Sequence, residues 1–225
     1  MNDEKKELEK MIFTDISNLV YPIARIVDGR FSLLGSAFFC EKQGYLISAA
    51  HVIAGNEKQL AVVMNELPSI QDFQDTSIDN RKCIPLEVVA FNPIHDICIL
   101  KSDLPICSKI VTSSLDFVKV GEEVVLFGYP HCNFNRMVLT QQNAHVGAKV
   151  LIERSGIKMK NIVLNIQARP GQSGSPIIHN NELVGMLIGP YVPNGGSGIS
   201  LGGIDPQTLH QTTHAVSAEY IKEMM

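Results

Sequence analysis

The chain has 225 residues, 45% hydrophobic and 19% charged, with a formal net charge of −4. That apolar share is enough for a substantial core, while the acidic balance excludes the basic field that nucleic acid requires. No apolar run approaches the ~20 residues of a bilayer-spanning helix, so no membrane contact is expected. The opening "MNDEKKELEKMIFTDISNLV" is dense in charge and lacks the apolar stretch of a secretory leader. The five cysteines (Cys40, Cys83, Cys98, Cys107, Cys132) form no CxxC. An odd count without a leader predicts free thiols in a reducing, cytoplasmic compartment. His131 and Cys132 are a lone adjacent pair, so no metal is expected.

In chain order, residues 3–19 place Leu8, Met11, Ile12, Ile16 and Leu19 at helical spacing, with Asp3 as N-cap. After Pro22 the periodicity shortens to β-type runs: "IARIV", "LLGSAFFC", "YLISAA", "LAVVM", "IPLEVVAF" and "ICIL". A polar connection, residues 102–123, leads to a second series: "EVVLFGYP", "MVLT", "AKVLIE", "NIVLNI", "SPIIH", "LVGMLIG" and "THAVS". Turn clusters such as "VDG", "FNP" and "NNE" separate the runs. The end, "SAEYIKEMM", reads as a closing helix capped by Ser217. Residues 65–82 and the glycine-rich 190–206 read as long loops. The pattern predicts an all-β chain between two helices, a sandwich or barrel and not a βαβ fold, divided as a helical extension (1–21), a first β half (22–110) and a second β half with the closing helix (111–225).

Three short stretches carry chemistry. "SAAHV" places His51 just after a strand, "HDICIL" places Asp96 at the start of another, and "PGQSGSPII" places Ser173 between two glycines. Acyl transfer needs a nucleophile, a base for its proton, a carboxylate to orient that base, and backbone N–H groups for the developing oxyanion. Gly171 and Ser173 are the candidate N–H donors, with Gln172 between them. The order His, Asp, Ser differs from the Ser, Asp, His order of the α/β-hydrolases. It puts base and carboxylate in the first half and nucleophile in the second, so the site is expected in a cleft between the two halves. His95 would face away from Asp96 along a strand. The glycine-rich loop lacks the lysine of a phosphate loop, and no cofactor is expected.

These three motifs, with "GSAFF", "FGYP" and "ELVGMLIG", resemble those of the trypsin-like (chymotrypsin-fold) serine peptidases. The likeness is closest to the high-temperature-requirement and glutamyl-endopeptidase branches. The resemblance implies two six-stranded antiparallel barrels and a serine endopeptidase with His51 as base, Asp96 as its orienting partner and Ser173 as nucleophile. It also implies a polypeptide substrate paired with the strand at Leu187, Ile188 and Gly189. Counting back from Ser173 puts Gln167 near the pocket floor, and His214 in the last strand reaches the pocket base.

Animal trypsins carry an aspartate before the nucleophile that receives a freed N-terminus; here that residue is Gln172. "RIVDG" at 25–29 is therefore read as a first barrel strand and not as an activation site. Pro190 lacks an N–H for substrate. The alternative to a competent enzyme is a latent or non-catalytic protein of the same fold that binds a partner or is activated by one. The oligomeric state is not legible in the sequence.

Overall fold

The computed structural model describes residues 16–64, 69–78, 81–190 and 212–225. Most of the helix expected at 3–19, and the glycine-rich stretch at 194–203, lie outside the described residues. Ile16 and Ser17 are helical, and Ile16 is buried in the core.

The first half is an antiparallel sheet of β1 (Val20–Val27), β2 (Arg30–Phe39), β3 (Tyr45–Ala49), β4 (Leu60–Val63), β5 (Cys83–Pro85), β6 (Glu87–Asn92) and β7 (Ile97–Lys101). Its order is β5-β4-β1-β2-β3-β7-β6. β5 and β6 end the ladder on opposite sides, yet in the chain only Leu86 separates them. The Leu86 N–H turns to the Leu60 carbonyl at 2.9 Å. Counted as one bent strand, β5 and β6 reduce seven strands to six and close the ring through the chain itself. The sequence run "IPLEVVAF" is thus continuous in space but bent at Leu86, the one buried residue between Pro85 and Val88. The Arg25 guanidinium, on β1, donates to the carbonyls of Ile53, Asn56 and Lys58, so "RIVDG" is structural.

The second half is a closed antiparallel barrel of β8 (Glu123–Gly128), β9 (Thr140–Arg154), β10 (Ile157–Leu164), β11 (Pro176–His179), β12 (Glu182–Pro190) and β13 (Thr213–Ser217), in the order β10-β13-β12-β11-β8-β9. Hairpin turns follow the sequence signals. Asp28-Gly29 and Asn180-Asn181 take positive φ at both central residues, the twist that two-residue hairpins need.

Two expectations fail here. "MVLT" is not a strand of its own: Met137 and Leu139 are buried without ladder bonds, and pairing begins at Thr140 opposite Gly128 and runs unbroken into "AKVLIE". Ser217 caps no helix. It ends β13, and its hydroxyl accepts the Leu115 N–H at 3.1 Å, while the short α-helix Glu219–Lys222 starts after Ala218.

One core fills the first barrel and continues between the halves through Phe127, Tyr129, Ile178 and Met186; a smaller core fills the second barrel around Val124, Leu126 and Ile162. Tyr129 is fully buried, and its hydroxyl donates to the Val20 carbonyl across that interface. The seam between the halves is therefore as dry as either barrel, and side chains at its mouth are held by packing on both sides.

Candidate active site

His51 sits in a one-turn helix, Ala50–Ile53, that follows β3 directly. Asp96 precedes β7, the neighbour of β3, so the sheet register brings the two together. The turn before Asp96 is built by Asn92, whose side-chain oxygen accepts the N–H groups of Ile94 and His95. Asp96 then takes a left-handed backbone, φ 58°, unusual for a non-glycine residue. The consequence is a double grip. One carboxylate oxygen accepts the His51 backbone N–H at 2.9 Å and the other meets His51 Nδ1 at 2.7 Å. With Nδ1–H facing the carboxylate, the lone pair stays on Nε2, which points away from Asp96. Asp96 is 7% exposed. His95 lies in the turn before β7 and not in a strand as expected, and it stacks on Tyr220 of the C-terminal helix with ring centroids 4.2 Å apart.

Ser173 lies on the loop 169–175, between β10 and β11. Here the backbone bonds can be followed one by one. The Arg169 carbonyl accepts the Gln172 N–H, that of Pro170 the His131 N–H, and that of Gln172 the Ser175 N–H. The Gly171 carbonyl accepts the Ser36 hydroxyl at 2.9 Å, and the Ser173 carbonyl accepts the Ser36 N–H at 2.9 Å. Among the N–H groups, Arg169 donates to the Gln172 side chain, Gln172 to Arg169, Gly174 to Leu187 and Ser175 to Gln172. Pro170 has none to give. Only the N–H groups of Gly171 and Ser173 find no acceptor among the described residues. Each belongs to a peptide whose carbonyl is tied back, to His131 and to Ser175 respectively. A planar trans peptide directs its N–H opposite to its C=O, so both are turned away from the loop's own bonds.

Glycine is required at two positions of this loop. Gly171 has φ +92°, and a Cβ there would lie 2.6 Å from the Tyr129 carbonyl oxygen and 2.7 Å from Cys132 Sγ. Gly174 has φ +87°, and a Cβ would lie 2.1 Å from the Ser36 carbonyl oxygen. This is the physical content of the glycines flanking Ser173: the loop is pressed against β2 on one side and against residues 129–132 on the other. Cys132, beneath Gly171, has its thiol pushed up to about 12 by burial, so it stays a neutral packing atom.

His51, Asp96 and Ser173 line one open cleft of about 780 Å³, together with Ile188, Gly189 and His214. The Ser173 hydroxyl donates to the Ile188 carbonyl at 3.3 Å. Pairing of β11 with β12 stops at Pro176–Met186; Leu187 then bonds to Gly174 and Ser175, and Ile188–Pro190 continue along the cleft. Burial lowers the basicity of His214, which pairs with Gly189 across β12 and β13.

The other sequence-based assignments divide. Leu187 is absent from the cleft wall: its backbone N–H and C=O are spent on Ser175 and Gly174, and its side chain is 1% exposed in the second core. Gln167 is absent from the cleft wall and accepts from the Arg169 guanidinium at 2.9 Å. Gln172 spends its N–H inside the loop and turns its side chain inward at 2% exposure, so it is not an oxyanion donor. Sequence reasoning missed Ser36, which lies in the noted "GSAFF" run, and the His131 backbone; both act over more than a hundred or several tens of residues and leave no local pattern.

A family model described as trypsin-like peptidase domain matches residues 35–186. The chain belongs to the trypsin-like peptidase domain family. Among curated relatives, the domain is 26% identical over 162 residues to an uncharacterized protein, y4bJ, of Sinorhizobium fredii, covering 71% of this chain and 22% of that protein. It is 24% identical over 164 residues to a probable periplasmic serine endoprotease DegP-like of Pseudomonas fulva, covering 72% of this chain and 30% of the other. The chain thus spans between a fifth and a third of the length of these relatives. Among solved structures, HtrA-type protease AlgW with a decapeptide superposes with a TM-score of 0.65 at 16% identity, covering 93% of this chain and 64% of that one. The MamO protease domain of Magnetospirillum magneticum gives 0.65 at 14%, covering 94% and 97%. Similarity at this identity establishes the fold: mostly β, two antiparallel sheets, chymotrypsin-like.

Proposed function

We propose that this domain is a serine endopeptidase working through His51, Asp96 and Ser173 and a covalent acyl-enzyme. The observation that carries the reading is the pair of unspent N–H groups at Gly171 and Ser173, beside a hydroxyl that shares a cleft with a carboxylate-oriented histidine. An extended polypeptide lies along Ile188–Pro190 as an added strand. One of its N–H groups takes the Ile188 carbonyl and releases the Ser173 hydroxyl, which turns to His51 Nε2. Ser173 Oγ attacks the scissile carbonyl as its proton passes to Nε2, and the negative oxygen is stabilised by the Gly171 and Ser173 N–H groups. His51 returns the proton to the leaving amine, and a water activated by the same nitrogen hydrolyses the ester. The step needs no group beyond the chain and water.

The cysteines are all unpaired, which supports a reducing compartment as the site of action. The test is labelling of the pure protein with a fluorophosphonate, mapped by mass spectrometry, beside casein cleavage. The expected result is an adduct on Ser173 alone and cleavage lost in Ser173→Ala. Equal cleavage by both proteins, or an adduct elsewhere, removes the peptidase reading.

A further inference from the structure

The loop that carries the two unspent N–H groups is held by a device that has no charge. Gln172 is 2% exposed, and its carboxamide works in two directions. Oε1 accepts the Arg169 N–H at 2.7 Å, and Nε2 donates to Gln142 Oε1 on β9 at 2.5 Å. With the Gln172 N–H donating to the Arg169 carbonyl at 3.1 Å, the Arg169–Gln172 turn is clasped twice. The clasp encloses the Pro170–Gly171 peptide, whose other tie is the single bond from the His131 N–H. Without the Gln172 oxygen the Arg169 N–H loses its acceptor in the loop, and the peptide at Gly171 loses the frame that prevents its rotation. A rotated peptide would aim the Pro170 carbonyl where Gly171 N–H should be, a repulsive contact for an oxyanion.

We propose that Gln172 is a positioning residue whose neutral carboxamide, wedged between Arg169 and Gln142, keeps the oxyanion N–H groups permanently turned out, so that the site stands assembled without an activating event. The inference rests on the peptidase reading and adds to it the means of regulation, which is none at this loop. The carboxamide finds both of its partners within its own barrel and carries no proton to lose, so its hold is the same at neutral and alkaline pH.

The test uses acylation by p-nitrophenyl acetate, which probes nucleophile and oxyanion donors without requiring a known peptide. Gln172→Met keeps the length and removes both bonds. It is expected to acylate about 100-fold more slowly, with saturation constant and pH profile unchanged. Gln172→Glu keeps the acceptor for Arg169 and lets the Gln142 carboxamide turn to donate; it is expected within about tenfold of the unsubstituted protein. Should Gln172→Met fail to fold by near-ultraviolet circular dichroism, Gln142→Met, outside the loop, removes one side of the grip and is expected to slow acylation about fivefold. Acylation by a folded Gln172→Met, or in its place Gln142→Met, at the unsubstituted rate overturns the inference. So does an unsubstituted protein that reacts with fluorophosphonate only after a cell extract is added, an outcome that leaves the peptidase reading standing. No adduct on Ser173 under any condition overturns both.

Discussion

The two halves hold their share of the site by different means. In the first barrel, His51 and Asp96 are fixed by what lies next to them: the β3–β7 register, an asparagine turn and one carboxylate that binds both ring and backbone. In the second, the Ser173 loop is fixed from afar, by Ser36 of the other barrel, by the His131 backbone and by Gln142. A base needs only orientation of one ring. An oxyanion hole needs peptides held against their preference to bond with their neighbours, and that takes more anchors.

The comparison is broken most completely at its meeting point. Ser173→Ala is expected to lower kcat about a million-fold with unchanged Tm, since the hydroxyl makes one 3.3 Å bond among the described residues. Asp96→Asn tests the local anchor. An amide cannot accept from Nδ1–H while keeping its other bond, the tautomer reverses, and kcat is expected to fall about 10⁴-fold with little change in KM. Ser36→Ala tests the remote anchor. It removes the buried hydroxyl tied to both the Gly171 carbonyl and the Tyr129 N–H, leaving that carbonyl the weaker Cys132 thiol at 3.7 Å. The expected cost is about 1–3 kcal/mol in urea denaturation and a fall in kcat of about tenfold, because stability and hole geometry share one atom. A loss of stability with unchanged kcat would show that His131 and Gln172 suffice.

The smallest effect sharpens the contrast at the surface. Lys160 ties Asp116, in the connection between barrels, to Glu219 of the C-terminal helix. The hydrogen bond from Lys160 holds the Asp116 carboxyl below its ordinary range. That contribution is present above the unfolded carboxylate's titration and is lost as pH falls through the lower folded value. Asp116→Asn is therefore expected to change Tm by no more than about 2 °C at neutral pH and not at all in strong acid. Thermal melts across pH check the sign.

Much of the first barrel was legible because its strands are short, apolar and bounded by turn residues. The His, Asp and Ser motifs were legible because local chemistry and chain order sufficed. Leu86 was not, since a bend that closes a ring differs from an ordinary strand residue only in where its N–H goes. Met137 and Leu139 read as strand because apolar composition reports burial, and burial does not require a ladder. Gln172 was read as part of the hole from its position between Gly171 and Ser173; nothing in the sequence tells which way a side chain on a tight loop turns. Ser36 was quoted within a strand, but its partner lies 135 residues away.

Pro190, the last residue of β12, lines the cleft and has no N–H to offer there. An open strand end invites any extended segment, including one from another copy of the molecule, through donors and acceptors common to every polypeptide. Withholding one donor at that rim weakens the indiscriminate part of the attraction. Under the peptidase proposal, what a guest forfeits in main-chain pairing at that proline it would have to recover through the side chains it presents to the walls.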